Sequence, residues 1–97
     1  MILSEIVKNR IAELLEITLD VNSRKTEQIY ARLIFVKFYS DMGFTTTRIG
    51  EMINKDHATV IYSRKVFEKE YLSGGYFKAI YDEFKRVPLF DTIDKSE

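Results

Sequence analysis

The only histidine of the chain, His57, stands in the stretch "INKDHATVIYSRK" at residues 53–65. Lys55 and Asp56 precede it, Ala58 and Thr59 follow it, and Arg64-Lys65 closes the segment. An imidazole beside a carboxylate can move a proton, hold a metal, or donate a ring N–H to a nucleic-acid base. The neighbours separate these chemistries. Proton transfer needs a second group, yet Glu13, Glu16, Asp82 and Glu83 fall on helix surfaces and show no pattern that converges on His57. A metal would rest mostly on carboxylates, and no ligand spacing offers them. The chain has no cysteine, which excludes disulfides, thiolate nucleophiles and cysteine-zinc sites. The sequence therefore predicts no enzyme activity, no cofactor, no metal and no small-molecule substrate.

Base reading suits the segment better. Asp56 is placed to cap a helix, or to accept from a cytosine amino group. His57 can reach a base acceptor or a phosphate. Ala58 and the Thr59 methyl suit a thymine methyl, and the Thr59 hydroxyl can donate or accept. Lys55, Ser63, Arg64 and Lys65 are phosphate candidates, as are the amides of the first turn.

The formal net charge is zero, but it is unevenly spread. Residues 1–21 hold two bases and four acids, and residues 66–97 hold five bases and seven acids. Residues 22–65 hold eight bases and four acids, net +4. Screening beyond about 8 Å at physiological salt makes a polyanion respond to the local excess.

Elements that could position these groups are legible in the apolar spacing. Residues 4–17 carry Ile6, Val7, Ile11, Leu14 and Leu15 at helical intervals after Ser4, a capping residue. Residues 18–24, "TLDVNSR", read as a loop. Residues 25–41 form a second helix, whose "LIFV" predicts burial on more than one side, and Gly43 ends it. A short helix over 45–53, capped by one of three threonines, is followed by a tight turn at Asn54-Lys55. A longer helix over 56–72 has Val60, Ile61, Phe67 and Tyr71 as its inward set, and "SGG" at 73–75 stops it. A last helix presents Phe77, Ile80, Tyr81 and Phe84, before Pro88 and a polar tail. Phe35 and Phe38 join these rings in the core rather than forming a stacking platform. The fold class is all-α: one five-helix domain of 97 residues, with a helix-turn-helix in its third and fourth helices. In such a motif the start of the second helix faces the major groove.

The stretch "RIGEMINKDHATVIYS" resembles the C-terminal DNA-binding domain of the bacterial replication initiator family DnaA. Ile49-Gly50, Lys55 and Asp56-His57-Ala58-Thr59-Val60 stand where that family has Ile-Gly, a basic residue and Asp-His-Thr-Thr-Val. "ARLIFVKF" at 31–38 is similar to the family's Ala-Arg-Gln helix, and "SRKTEQ" at 23–28 falls where it has a basic loop. The likeness spans about residues 4–86 and is specific over 48–63. It implies a helix-turn-helix related to that of the Trp repressor, with major-groove reading by Asp56, His57 and Thr59. It also implies a minor-groove contact by Arg24 or Lys25. Ala58 departs from the family by removing a hydroxyl, the Gly-Gly turn is absent, and the Pro before the central helix is missing. No Gly-rich phosphate loop followed by Lys-Ser/Thr occurs, so the likeness concerns the DNA-binding module and not the family's ATPase.

Backbone contacts are also predicted for Arg32, which can pack its stem along the second helix, and for Thr45, Thr46, Thr47 and Arg48. The expected partner is double-stranded DNA, in replication or transcription. The alternative is a protein-interaction module or homodimer, of phage or plasmid type, that uses the apolar faces at 4–17 and 76–86. No apolar run approaches the roughly 18 residues of a membrane helix. "MILSEIVKNR" lacks a secretory pattern, so a cytoplasmic location is expected.

Overall fold

A computed structural model describes residues 3–16 and 25–86, and every regular element among them is helical. The helices are α1 (Leu3–Leu15), α2 (Thr26–Asp41), α3 (Thr46–Ile53), α4 (His57–Ser73) and α5 (Gly75–Arg86). The loop expected at 18–24, with Arg24, lies outside the described residues, as does the tail from 87 onward.

α2 is the axis of the structure. Ala31, Leu33, Ile34, Phe35, Val36 and Tyr39 are all buried, so more than one side of this helix faces protein. It packs on α1, α3 and α4, and reaches α5 through rings: Tyr30 lies 4.9 Å from Phe77, and Phe38 lies 5.8 Å from Phe84. α1 contributes Val7, Ile11 and Leu15, at the intervals that put them on one stripe. Burial of each such side chain contributes roughly 1.5–3 kcal/mol. Phe67, Phe77, Tyr81 and Phe84 lie in the same core, as their periodicity predicts.

Local chemistry ends each helix. After α2, Gly43 takes φ 91°, its N–H donates to the Ser40 carbonyl, and the Phe44 N–H donates to the Tyr39 carbonyl. Tyr39 and Phe44 rings then meet edge to face at 4.9 Å, the hydrophobic contact that accompanies this type of helix stop. Thr45 opens α3, with its hydroxyl accepting from the Arg48 N–H at 3.1 Å. Gly74 alone separates α4 from α5. The two helices are clamped by Asp82, which accepts from the Tyr71 hydroxyl at 2.8 Å and from Lys78 at 2.7 Å.

Three expectations are corrected. Ser4, expected to cap the first helix, lies inside α1, which already includes Leu3. Ile61 does not face inward: it is 41% exposed. Val60, Ser63 and Phe67 occupy the inner face of α4, and a residue next to Val60 in a helix points about 100° away. Ser63 is buried at 4%, so its hydroxyl is not offered to a phosphate at the surface.

Candidate nucleic-acid interface

The connection from α3 to α4 is three residues long and tightly specified. Asn54 adopts the left-handed conformation at φ 56°, ψ 46°, which asparagine tolerates better than most side chains. Its N–H donates to the Glu51 carbonyl at 3.4 Å, and the Lys55 N–H donates to the Gly50 carbonyl at 2.8 Å. A Cβ on Gly50 would collide with the Lys55 carbonyl oxygen and press on the Asp56 backbone. Glycine there lets the chain reverse against α3. Ile49 and Ile53 on one side and Val60 on the other then lock α4 to the core.

Asp56 caps α4. Its backbone is extended, at φ −78° and ψ 168°, and its Oδ1 accepts from the Thr59 N–H at 2.8 Å. That backbone hydrogen bond, aided by the Thr59 side chain and by the charges of His57 and Lys55, holds the carboxyl below its ordinary value. A lowered folded-state pKa stabilises the cap above the unfolded value, and the effect is lost as pH falls through the folded one. Amide exchange at Thr59 and Val60 is therefore expected to accelerate on acidification, relative to the intrinsic rate. In Asp56→Ala it should already be fast, and this added pH dependence should vanish.

Helical spacing gathers Ala58, Ile61, Tyr62, Lys65 and Lys69 on the outer face of α4, all exposed. His57 and Arg64 flank this stripe on one side and are exposed; Thr59 is half-buried on the other. Lys55, in the turn, is half-buried. Among the described residues the ion pairs are Lys37–Asp41, Lys78–Asp82 and Glu83–Arg86, and none takes Lys55, Arg64 or Lys65. The remaining candidates belong to other elements. Lys25 is exposed at the start of α2, and Arg32 is half-buried along it. Thr45, Thr47 and Arg48 are exposed and Thr46 half-buried at the start of α3, where Thr45 is already engaged as a cap.

Ile61 and Tyr62, 41% and 67% exposed, share the stripe but were not among the residues expected to read DNA. The signal lay in their spacing: they follow Ala58 by three and four positions. An exposed isoleucine and tyrosine add apolar area suited to methyl and ring contacts. Among the described residues no three histidine, aspartate or glutamate side chains gather to hold a metal. No helix among them is long and apolar enough to cross a membrane. No protein-family model, curated protein or solved structure matches the chain.

Proposed function

We propose that this chain is a sequence-specific double-stranded DNA-binding protein, in which α3, the turn at 54–56 and α4 act as a helix-turn-helix. The observation that carries the reading is the outer stripe of α4. It starts at a capped, exposed helix end, mixes polar and apolar side chains, and is flanked by Lys55, Arg64 and Lys65, which form no ion pair among the described residues. The resemblance of residues 48–63 to the DnaA DNA-binding domain supports the same surface. On this reading α4 enters the major groove and α3 crosses the backbone. His57, Ala58 and Thr59 meet base edges at its start, Ile61 and Tyr62 extend the contact by one turn, and Arg64 and Lys65 meet phosphate. Asp56 serves first as the cap, because one of its oxygens is already committed to Thr59. Lys25, Arg32 and the start of α3 are secondary backbone contacts. The role is replication- or transcription-associated, in the cytoplasm, with no catalytic step.

Selection of bound duplexes from a random pool tests this reading. A recovered consensus supports it, whereas an unenriched pool contradicts sequence-specific recognition. On a selected site, His57→Ala is expected to weaken binding by about 1–3 kcal/mol, with the fold intact because the side chain is exposed. Unchanged affinity would remove His57 from the readers.

A protein-interaction role is favoured by one observation: Leu72 is 78% exposed and Ile61 41%, on the same helix. The salt response separates the two readings. Phosphate contacts give a loss of about 0.9 decades in affinity per decade of salt for each contact, whereas an apolar interface responds weakly.

A further inference from the structure

Beside the proposed DNA face, α2, α4 and α5 enclose an open groove of about 710 Å³. Phe67, Tyr71 and Tyr81 form its aromatic lining, with Phe67 and Tyr81 edge to face at 4.7 Å and Tyr71 and Tyr81 at 5.6 Å. From Ile61 to Leu72 the groove runs about 16 Å along α4. Leu72 is 78% exposed, the most of any large hydrophobic side chain among the described residues. Three cations and two acids share the lining. Lys37 is engaged by Asp41 at 3.1 Å and lies over the Phe67 ring at 5.6 Å. That leaves Arg64 and Lys65 against Glu68, and none of these three forms an ion pair among the described residues. A single exposed apolar side chain needs no occupant. Here it stands at one end of an aromatic groove whose other part carries cations without counter-charges.

We propose that this groove docks an acidic amphipathic helix of a partner protein. The chemistry of the lining selects that occupant. A nucleic-acid backbone satisfies Arg64 and Lys65 but leaves Leu72 and the aromatic rings in water. A neutral apolar partner covers the rings and strands two cations without partners. A small ligand is not enclosed, because the groove is open along its length. A helix laid between helices meets all three demands, anchoring by apolar side chains three and four positions apart. Its apolar face covers Leu72 and the rings, and its carboxylates meet Arg64 and Lys65. These two cations precede Leu72 by eight and seven positions, about 10–12 Å along α4. The partner's acids therefore stand about two turns from its main apolar anchor. Opposite charge speeds its arrival and rejects basic competitors. An occupant that takes Arg64 and Lys65 excludes a duplex from the same flank of α4. That exclusion rests on the DNA reading above, and the docking does not.

The test uses the full chain as bait for a displayed library of helix-forming peptides of about 16 residues, about 24 Å long, whose variable positions draw equally on Leu, Phe, Gln, Glu and Lys. The retained peptides are expected to hold more Glu than Lys and to pair apolar residues three or four positions apart. Leu72→Ser should weaken a retained peptide about tenfold or more, with the fold intact because the side chain is exposed. Arg64→Glu with Lys65→Glu should reverse the selection, so that Lys-rich peptides are retained. An unenriched library, a Lys-rich set on the parent chain, or a retained peptide indifferent to Leu72→Ser would overturn the proposal. So would phosphatidylglycerol vesicles bound through Leu72 while no peptide is retained, since the occupant would then be a membrane surface. A retained peptide should also displace a labelled random-sequence duplex. Peptide and duplex bound together would overturn the exclusion and take Arg64 and Lys65 out of the DNA contacts. A chain that binds the peptide and no duplex upholds docking and sinks the DNA reading alone.

Discussion

Gly50→Ala is expected to destabilise the protein by about 2–4 kcal/mol, through a clash between backbone groups. The sign is informative. In the interior of an ordinary helix, glycine to alanine gains up to about 1 kcal/mol. Gly50 is buried in α3, and the space a methyl would need is taken by the Lys55 carbonyl. Rotamer change cannot relieve the clash, because the Lys55 carbonyl, its nearest partner, belongs to the backbone. Moving that carbonyl strains Lys55, whose N–H closes the turn by donating to the Gly50 carbonyl at 2.8 Å. Urea denaturation measures the effect. With a slope typical of small domains, about 1–3 kcal/mol per molar, the midpoint should fall by about 2 M. An unchanged or raised midpoint would show that the turn accommodates a side chain, and that Gly50 does not set the angle at which α4 leaves α3.

Reversing two charges, Arg64→Glu with Lys65→Glu, is expected to reduce duplex affinity about a hundredfold at 0.15 M salt. Loss of two phosphate contacts removes about 1.8 decades per decade of salt from the response. Extrapolated from about 1 M salt, where that contribution fades, this amounts to about thirtyfold, and the added repulsion supplies the rest. Both side chains are exposed, so stability should change by no more than about 0.5 kcal/mol. Affinity measured across a salt series checks both numbers at once. Equal slopes in parent and variant would show that neither side chain meets phosphate, and would move the interface off this flank of α4.

The helices, and the caps of α3 and α4, were legible because their signals are local, whereas Ser4 has the residue type of a cap but lies inside α1. Thr45 and Asp56 each precede an apolar period and each bind the amide three residues on. Gly43 and Asn54 are residue types that accept positive φ, and they stand where α2 and α3 end. Other features depend on what lies across the turn or around the helix. Gly50 is required by a carbonyl five residues later, a contact that no periodicity encodes. Ile61 was read as inward because it adjoins Val60, although two consecutive helical residues cannot share one narrow inner face. Ser63 looked like a surface hydroxyl by type, but its place three residues after Val60 puts it inside. The same geometry makes Ala58 the middle of the exposed stripe at the start of α4, with His57 and Thr59 to either side.

Titrating isotope-labelled protein with a short random-sequence duplex locates the surface that meets DNA. If the start and outer stripe of α4 enter the groove, amide shifts concentrate on Lys55, Ala58, Ile61, Tyr62 and Lys65, and raised salt reverses them. Shifts confined to α1 and α5, or no shifts at low salt, would contradict that placement of α4.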